Sequence, residues 1–236
     1  MTDGLHDACG VLALARLPGK GGNDRPDPPG CSASDVTPLV PRALLDMQIR
    51  GQLSAGVSSY HPGRRELLKT HKGIGLVHEV FGLYDAEKSR RILEAHAGTA
   101  AIAHVRYATC GRELESYAQP FERRHGRLRK WFTFCFNGQI ANFAELKEAL
   151  ARNGYHTVLD ADTEVLLHLF SRALRDETRA EMSSVFRKMS RWLDGAYNVA
   201  FLDATGRLAV GRDPHGFRPM NIGVQGRVFG AASESV

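Results

Sequence analysis

Cys9 stands immediately before the first apolar, strand-like run, residues 10–16, behind only eight residues. Removing residues 1–8 would leave a thiol and a free α-amine on one residue. That pairs a nucleophile with a base whose reference pKa is about 7.7–8.0. A small buried cysteine at a strand start is the plainer alternative. Two other short signals have both a structural and a chemical meaning. Asn137-Gly138 follows the apolar run 131–136, and Asn-Gly is the strongest short signal for a hairpin turn. Asp162 precedes a stretch of helical periodicity, 163–174, which its short carboxylate is placed to cap. His71, His104 and His168 have no partner at metal-ligand spacing and are expected to be packed or at the surface. Cys9, Cys31, Cys110 and Cys135 show neither a CxxC pair nor zinc-finger spacing, which reads as reduced thiols and no metal site.

The elements that must hold these residues alternate between strand and helix. Strands are expected at 10–16, 55–60, 66–70, 76–80, 100–106 and 131–136, with helices at 40–49 and 86–97. A Gly- and Pro-rich stretch, 17–35, interrupts the pattern as an irregular insertion. Helices follow at 142–153, 163–174 and 180–193, and then strands at 196–203, 207–212, 220–223 and 227–232. Mixed strands bracketing helices imply helices on the outer faces of antiparallel sheets.

A chain of 236 residues, 43% apolar and 24% charged, can bury a sizeable core as one large domain or two small ones. No apolar stretch is long enough to span a bilayer, and the N-terminus lacks a secretory signal, so a cytoplasmic protein without membrane contact is expected. Arg123, Arg124, Arg127, Arg129 and Lys130 concentrate much of the net charge of +5. They lie between apolar runs around Gly126, as in a solvated loop, and nothing there matches a nucleic-acid-binding module.

Taken in order, CGVLA, QIRGQLSAG, HKGIGLVHEVF, AHVRYATCG, YAQPF, FNGQIAN, DADTEVLLHLF, GRDPHGFRPMNIG and AASES resemble the glutaminase domain of class II (N-terminal nucleophile) glutamine amidotransferases. Within that class the likeness is greatest to the amidophosphoribosyltransferase branch, and it covers nearly the whole chain except the insertion. The resemblance implies an α+β fold, the four-layer αββα sandwich of N-terminal nucleophile hydrolases. It makes residues 1–8 a leader and residues 9–236 the glutaminase domain. It implies a reaction in which Cys9 attacks the glutamine side-chain amide, passes through a thioester, and yields glutamate and ammonia for an acceptor. Cys9 is then the nucleophile, with its α-amine as base. Asn137 and Gly138 are the oxyanion donors, and Arg50 is a cation near the thiol that would lower its pKa. Arg106 and Thr109 hold the substrate carboxylate, and Asp162 holds its ammonium. For Arg50, a structural bond to backbone carbonyls is the alternative. The segment Arg212–Arg218 is implied to be structural, and no cofactor is implied in this domain.

Ile49, Leu53-Ser54, Cys110 and Phe136 depart from the pattern around the pocket. No phosphate loop typical of a phosphoribosyltransferase domain is read in the sequence, so the chain is expected to be either a fragment of a longer enzyme or a separate glutaminase subunit. An acceptor synthase domain or subunit is its expected ammonia partner, with a homo- or hetero-oligomer left open. A stand-alone glutaminase subunit of a glutamate-synthase-like complex and a catalytically silent regulatory subunit are the alternatives.

Overall fold

A computed structural model describes residues 9–19, 21–107, 114–175 and 181–235. Two antiparallel sheets stack face to face. The larger has the order β3-β2-β4-β1-β10-β9, built from β1 (Gly10–Arg16), β2 (Ser54–Tyr60), β3 (Leu68–Ile74), β4 (Ala100–Arg106), β9 (Asn221–Gln225) and β10 (Val228–Ala232). The smaller, β5-β6-β7-β8, comprises β5 (Phe121–Arg123), β6 (Phe132–Ile140), β7 (Gly195–Asp203) and β8 (Leu208–Arg212). Helices α1 (Leu39–Asp46), α2 (Val77–Val80) and α3 (Ala86–Ala95) cover the larger sheet, and α4 (Phe143–Arg152), α5 (Asp162–Ala173) and α6 (Met182–Trp192) cover the smaller. This is the αββα sandwich.

Strand alternation builds the layers. On β1, Leu12 and Leu14 face the helices with Val40, Leu44 and Phe81, while Val11 and Ala13 face the other sheet with Ile102, Cys135, Ala200 and Leu202. On β6, Phe132, Phe134 and Phe136 point towards α5 and α6, so Cys135 and Asn137 point inward. Cys9, Arg106 and Asn137 thus share the inward parity of their strands and meet at one end of the inter-sheet layer.

Several local expectations are corrected. Residues 76–80 contain the short helix α2 rather than a strand, because the Glu79 carboxylate folds back onto the Leu76 N–H at 2.7 Å and closes a turn. The third strand lies at Leu68–Ile74, paired along its whole length with β2. Asn137-Gly138 is no turn: β6 runs through it to Ile140 and pairs with all of β7. Among the described residues between 17 and 35 there is only one isolated bridge, Ser32↔Asp35, and the segment is tied down by the Arg16–Asp27 ion pair at 2.7 Å and by Asn23 on Val224 and Gly226. The basic run connects β5 to β6, with Arg124 paired to Glu66 and Glu122. Among the described residues no helix is long and apolar enough to cross a membrane, and no cluster of three His, Cys, Asp or Glu side chains could hold a metal.

The helix-side core of the smaller sheet centres on Phe170, whose ring lies 5.1 Å from Phe201, 5.4 Å from Phe134 and 5.9 Å from Phe132. Phe170→Ala should lower stability by about 3–5 kcal/mol, read from the urea midpoint at unchanged m-value.

The two sheets are also joined by His104. It is fully buried and its Nε2 lies 3.1 Å from the Phe136 carbonyl, so the ring is neutral with its proton on Nε2. Burial pushes its pKa down to about 3, against the smaller upward pull of that hydrogen bond. The unfolded chain takes up this proton near pH 6.5 and the folded chain only near pH 3. The His104 contribution is therefore complete above the unfolded value and is lost as pH falls towards the folded one, by about 2 kcal/mol at about pH 5. Urea unfolding at about pH 7.5 and about pH 5 should show this loss in the parent chain and a smaller one in His104→Gln; equal losses would assign the acid sensitivity to other groups.

Candidate active site

Antiparallel register places the nucleophile candidate. Gly10 pairs with Val105, so Cys9, one step before β1, falls opposite Arg106, the last residue of β4. The Cys9 thiol sits against the Tyr107 backbone, accepting its N–H at 3.4 Å and lying 3.8 Å from its carbonyl oxygen. Gly10 has no room for a side chain, since a Cβ there would lie 2.7 Å from Val105. A larger residue at position 10 would have to displace that Val105 methyl.

Cys9 lines a pocket of about 610 Å³ together with Arg106, Asn137, Gly138, Asp162 and Arg218. That volume lies in the range of small-molecule sites. Arg106 is buried, and its guanidinium lies over the Tyr117 ring at 5.4 Å from the centroid. Asp162 opens α5 and takes the Ile140 N–H at 3.0 Å. Burial raises its carboxyl pKa and that bond lowers it. The capping expectation is corrected here: Ala161 is the N-cap, and the Asp162 carboxylate spends its bond on β6 instead of on its own helix. Its charge still suits the first turn of the helix.

Asn137 is 2% exposed, and its Nδ2 has no hydrogen-bond partner among the described residues. A buried amide donor left unpaired costs about 1–3 kcal/mol, so this atom is poised for an acceptor in the pocket. Gly138 lies so close to β7 that a Cβ would meet the Ala196 carbonyl oxygen at 2.3 Å. Only glycine lets the strand pass here.

Arg50 is brought to Cys9 but bonds its backbone and not its sulfur. Its Nε donates to the Cys9 carbonyl oxygen at 3.2 Å and its Nη1 pairs with Glu234. Burial raises the Cys9 thiol pKa, outweighing the lowering by the Tyr107 N–H and by Arg106, Arg218 and Arg50. Arg50 therefore combines both expected roles: it anchors the Cys9 backbone and it acts to lower the thiol pKa, but as the smallest of the named lowering influences and against a larger rise from burial. Its charge is shared with a carboxylate, and the thiol is desolvated.

Thr109, Cys110 and residues 1–8 lie outside the described residues. Ile49 is 83% exposed, whereas Phe136 is buried and still borders the pocket. His71 and His168 serve packing: His71 Nε2 lies 2.8 Å from the Val80 carbonyl, and His168 sits 4.0 Å from Glu164.

Sequence reasoning missed two residues. Arg218 enters the pocket because Asp213 holds the turn before it, accepting from the His215 N–H at 3.0 Å and the Phe217 N–H at 3.1 Å. Burial alone would raise the Asp213 pKa, but the N–H groups of Phe217, Tyr197, Gly216 and His215 hold it below its usual value. The signal was the Asp-Pro-His-Gly turn leading into Arg218. Gln119, within YAQPF, lies beside Phe136 in the pocket wall and had no local signal of a role.

Residues 104–236 match the model of a family described as the glutamine amidotransferase domain. The amidophosphoribosyltransferase of Methanothermobacter thermautotrophicus is 32% identical over 98% of this chain and 43% of its own length. The human amidophosphoribosyltransferase is 31% identical over 93% of this chain and 39% of its own. The solved glutamine phosphoribosylpyrophosphate amidotransferase from Bacillus subtilis superposes with a TM-score of 0.73 at 28% identity, covering 96% of this chain and 42% of that one. The chain therefore spans about two fifths of the length of the relatives it matches. A family model that matches more than half of its residues, on a shared αββα sandwich, places this chain in the glutamine amidotransferase domain family.

Proposed function

We propose that this chain hydrolyses the side-chain amide of glutamine and hands the ammonia to an acceptor, as the glutaminase part of an amidophosphoribosyltransferase-like enzyme of purine synthesis. One observation carries the reading. The unpartnered Asn137 Nδ2 lies in the same pocket wall as Gly138, with Cys9, Arg106 and Asp162 lining the same pocket. A zwitterionic amino acid amide needs such a set: a cation for the carboxylate, an anion for the ammonium, a nucleophile, and donors at the amide oxygen.

The raised thiol pKa bears on the mechanism. A desolvated thiol stays protonated near neutral pH, so the attack needs a base close at hand. After loss of residues 1–8, the α-amine of Cys9 takes the Sγ proton as sulfur bonds to the amide carbon. The amide oxygen becomes negative and is met by Asn137 Nδ2–H and the Gly138 N–H. The C–N bond then breaks, the amine returns the proton to the leaving nitrogen, and ammonia departs, leaving a Cys9 thioester. Water adds to the thioester, sulfur leaves as the thiol, and glutamate is released. Arg106, with Thr109, holds the substrate carboxylate, and Asp162 holds its ammonium throughout. These steps call on no cofactor in this domain. The ammonia goes to a phosphoribosyl acceptor on a synthase domain or partner subunit, which makes the complete enzyme a glycosyltransferase of the cytoplasm.

Glutamate released from glutamine by the mature chain tests this. Cys9→Ala should abolish release, and Asn137→Ala should lower kcat about 100- to 1000-fold with little change in KM. Asp162→Asn should act mainly on KM. Full activity in Cys9→Ala would sink the assignment.

A further inference from the structure

Next to Asn137 and Gly138, no strand among the described residues flanks β6 on the edge away from β7. β5 pairs with it only from Arg123↔Phe132 to Phe121↔Phe134. Beyond that point a side chain takes the place of a strand. Gln119 is 5% exposed, and its carboxamide accepts the Phe136 N–H at 2.7 Å while donating Nε2–H to the Phe136 carbonyl at 3.0 Å. That is the two-bond exchange a neighbouring strand residue would make. His104 gives the same carbonyl a second N–H at 3.1 Å.

The alternation along β6 then fixes what comes next. Tyr197, the register partner of Gly138, spends its N–H and carbonyl on Asp213, at 3.3 Å and 2.9 Å. Gly138 therefore directs its backbone groups to the opposite edge, the edge on which Gln119 holds Phe136 two residues earlier. Its N–H is the next on that edge beyond the one Gln119 satisfies. The loop carrying Gln119 is itself rigidly seated. Lys72 on β3 donates to the Ala118 carbonyl at 2.6 Å and the Pro120 carbonyl at 3.3 Å. Gly56 on β2 is so close that a Cβ would lie 2.3 Å from the Gln119 carbonyl oxygen.

We propose that Gln119 is a positioning residue for the oxyanion donors. Its carboxamide replaces a strand at the edge of β6, fixing Phe136 and so aiming Asn137 Nδ2 and the Gly138 N–H at the substrate oxygen. This role rests on the glutaminase reading. It needs a donor and an acceptor at one reach, which only the glutamine amide supplies.

The mature full chain and two variants test it. Gln119→Glu keeps an acceptor for the Phe136 N–H but sets an oxygen against the Phe136 carbonyl. Gln119→Met keeps the volume and removes both bonds. Three readouts are taken together on folded protein: kcat and KM for glutamine, and the rate of Cys9 alkylation by iodoacetamide, which needs the thiol but no oxyanion donor. Both variants should lose about 10- to 100-fold in kcat, with KM within about twofold and alkylation unchanged. Unchanged kcat in both folded variants would overturn the role, as would alkylation falling in step with kcat, which would mean a general collapse of the pocket. Alkylation of the parent chain at Cys9 without any glutamate release would overturn the glutaminase reading and this role with it.

Discussion

The pairing of β1 with β4 governs the site. With Gly10 opposite Val105, Cys9 faces Arg106 and both point into the inter-sheet layer, where Asn137 arrives from the other sheet. A slip of one residue would turn Cys9 towards the helices and bring Leu12 and Leu14 into the inter-sheet layer. The register is therefore held by the same alternation that builds two cores. It is reinforced at the start of β1, where Val11 exchanges bonds with Ser233 through its N–H to Oγ and its carbonyl to the Ser233 N–H, both at 3.0 Å. Arg50 adds a bond to the Cys9 carbonyl and an ion pair to Glu234. Cys9, the proposed nucleophile, sits just before a central strand whose first residues are fixed from both sides.

Charge alone does not activate the thiol. Arg106, Arg218 and Arg50 all act to lower its pKa, yet burial prevails. Those cations suit an anionic ligand better than a permanent thiolate: a carboxylate in the pocket gains from them directly, whereas the sulfur pays for its desolvation whether or not a ligand is present. The arrangement fits a nucleophile that is deprotonated only at the moment of attack.

Much of the fold is legible in the sequence because strands and helices with a clear period declare themselves. β1, β4 and β7 are apolar runs of seven to nine residues, and α4 to α6 carry helical spacing over ten to twelve. The errors lie where local signals serve distant partners. Residues 76–80 are too short for a period to separate strand from helix, and a single carboxylate, Glu79, decides. Asn137-Gly138 has turn chemistry, but the β7 backbone lies where a Cβ at Gly138 would go, so glycine is required for close passage instead of a turn. Asp162 has capping chemistry, but Ile140 across the layer claims its carboxylate. Gln119 and Arg218 acquire their places from contacts 17 residues away with Phe136 and from a turn built around Asp213, which no local window contains.

These exceptions share a physical cause. A sandwich of this kind gains stability by pairing each buried donor with an acceptor, yet a site for an amide oxygen needs donors held back from such pairing. Asn137 Nδ2 is held back although it is buried. The alternation of β6 turns the Gly138 N–H away from β7, towards an edge that no strand among the described residues occupies. Another strand along that edge would satisfy this donor and close the pocket; a single carboxamide at Phe136 secures the strand and stops short of it. The strand edge is thus interrupted where the proposed chemistry calls for an open donor, with Gln119 securing β6 two residues earlier.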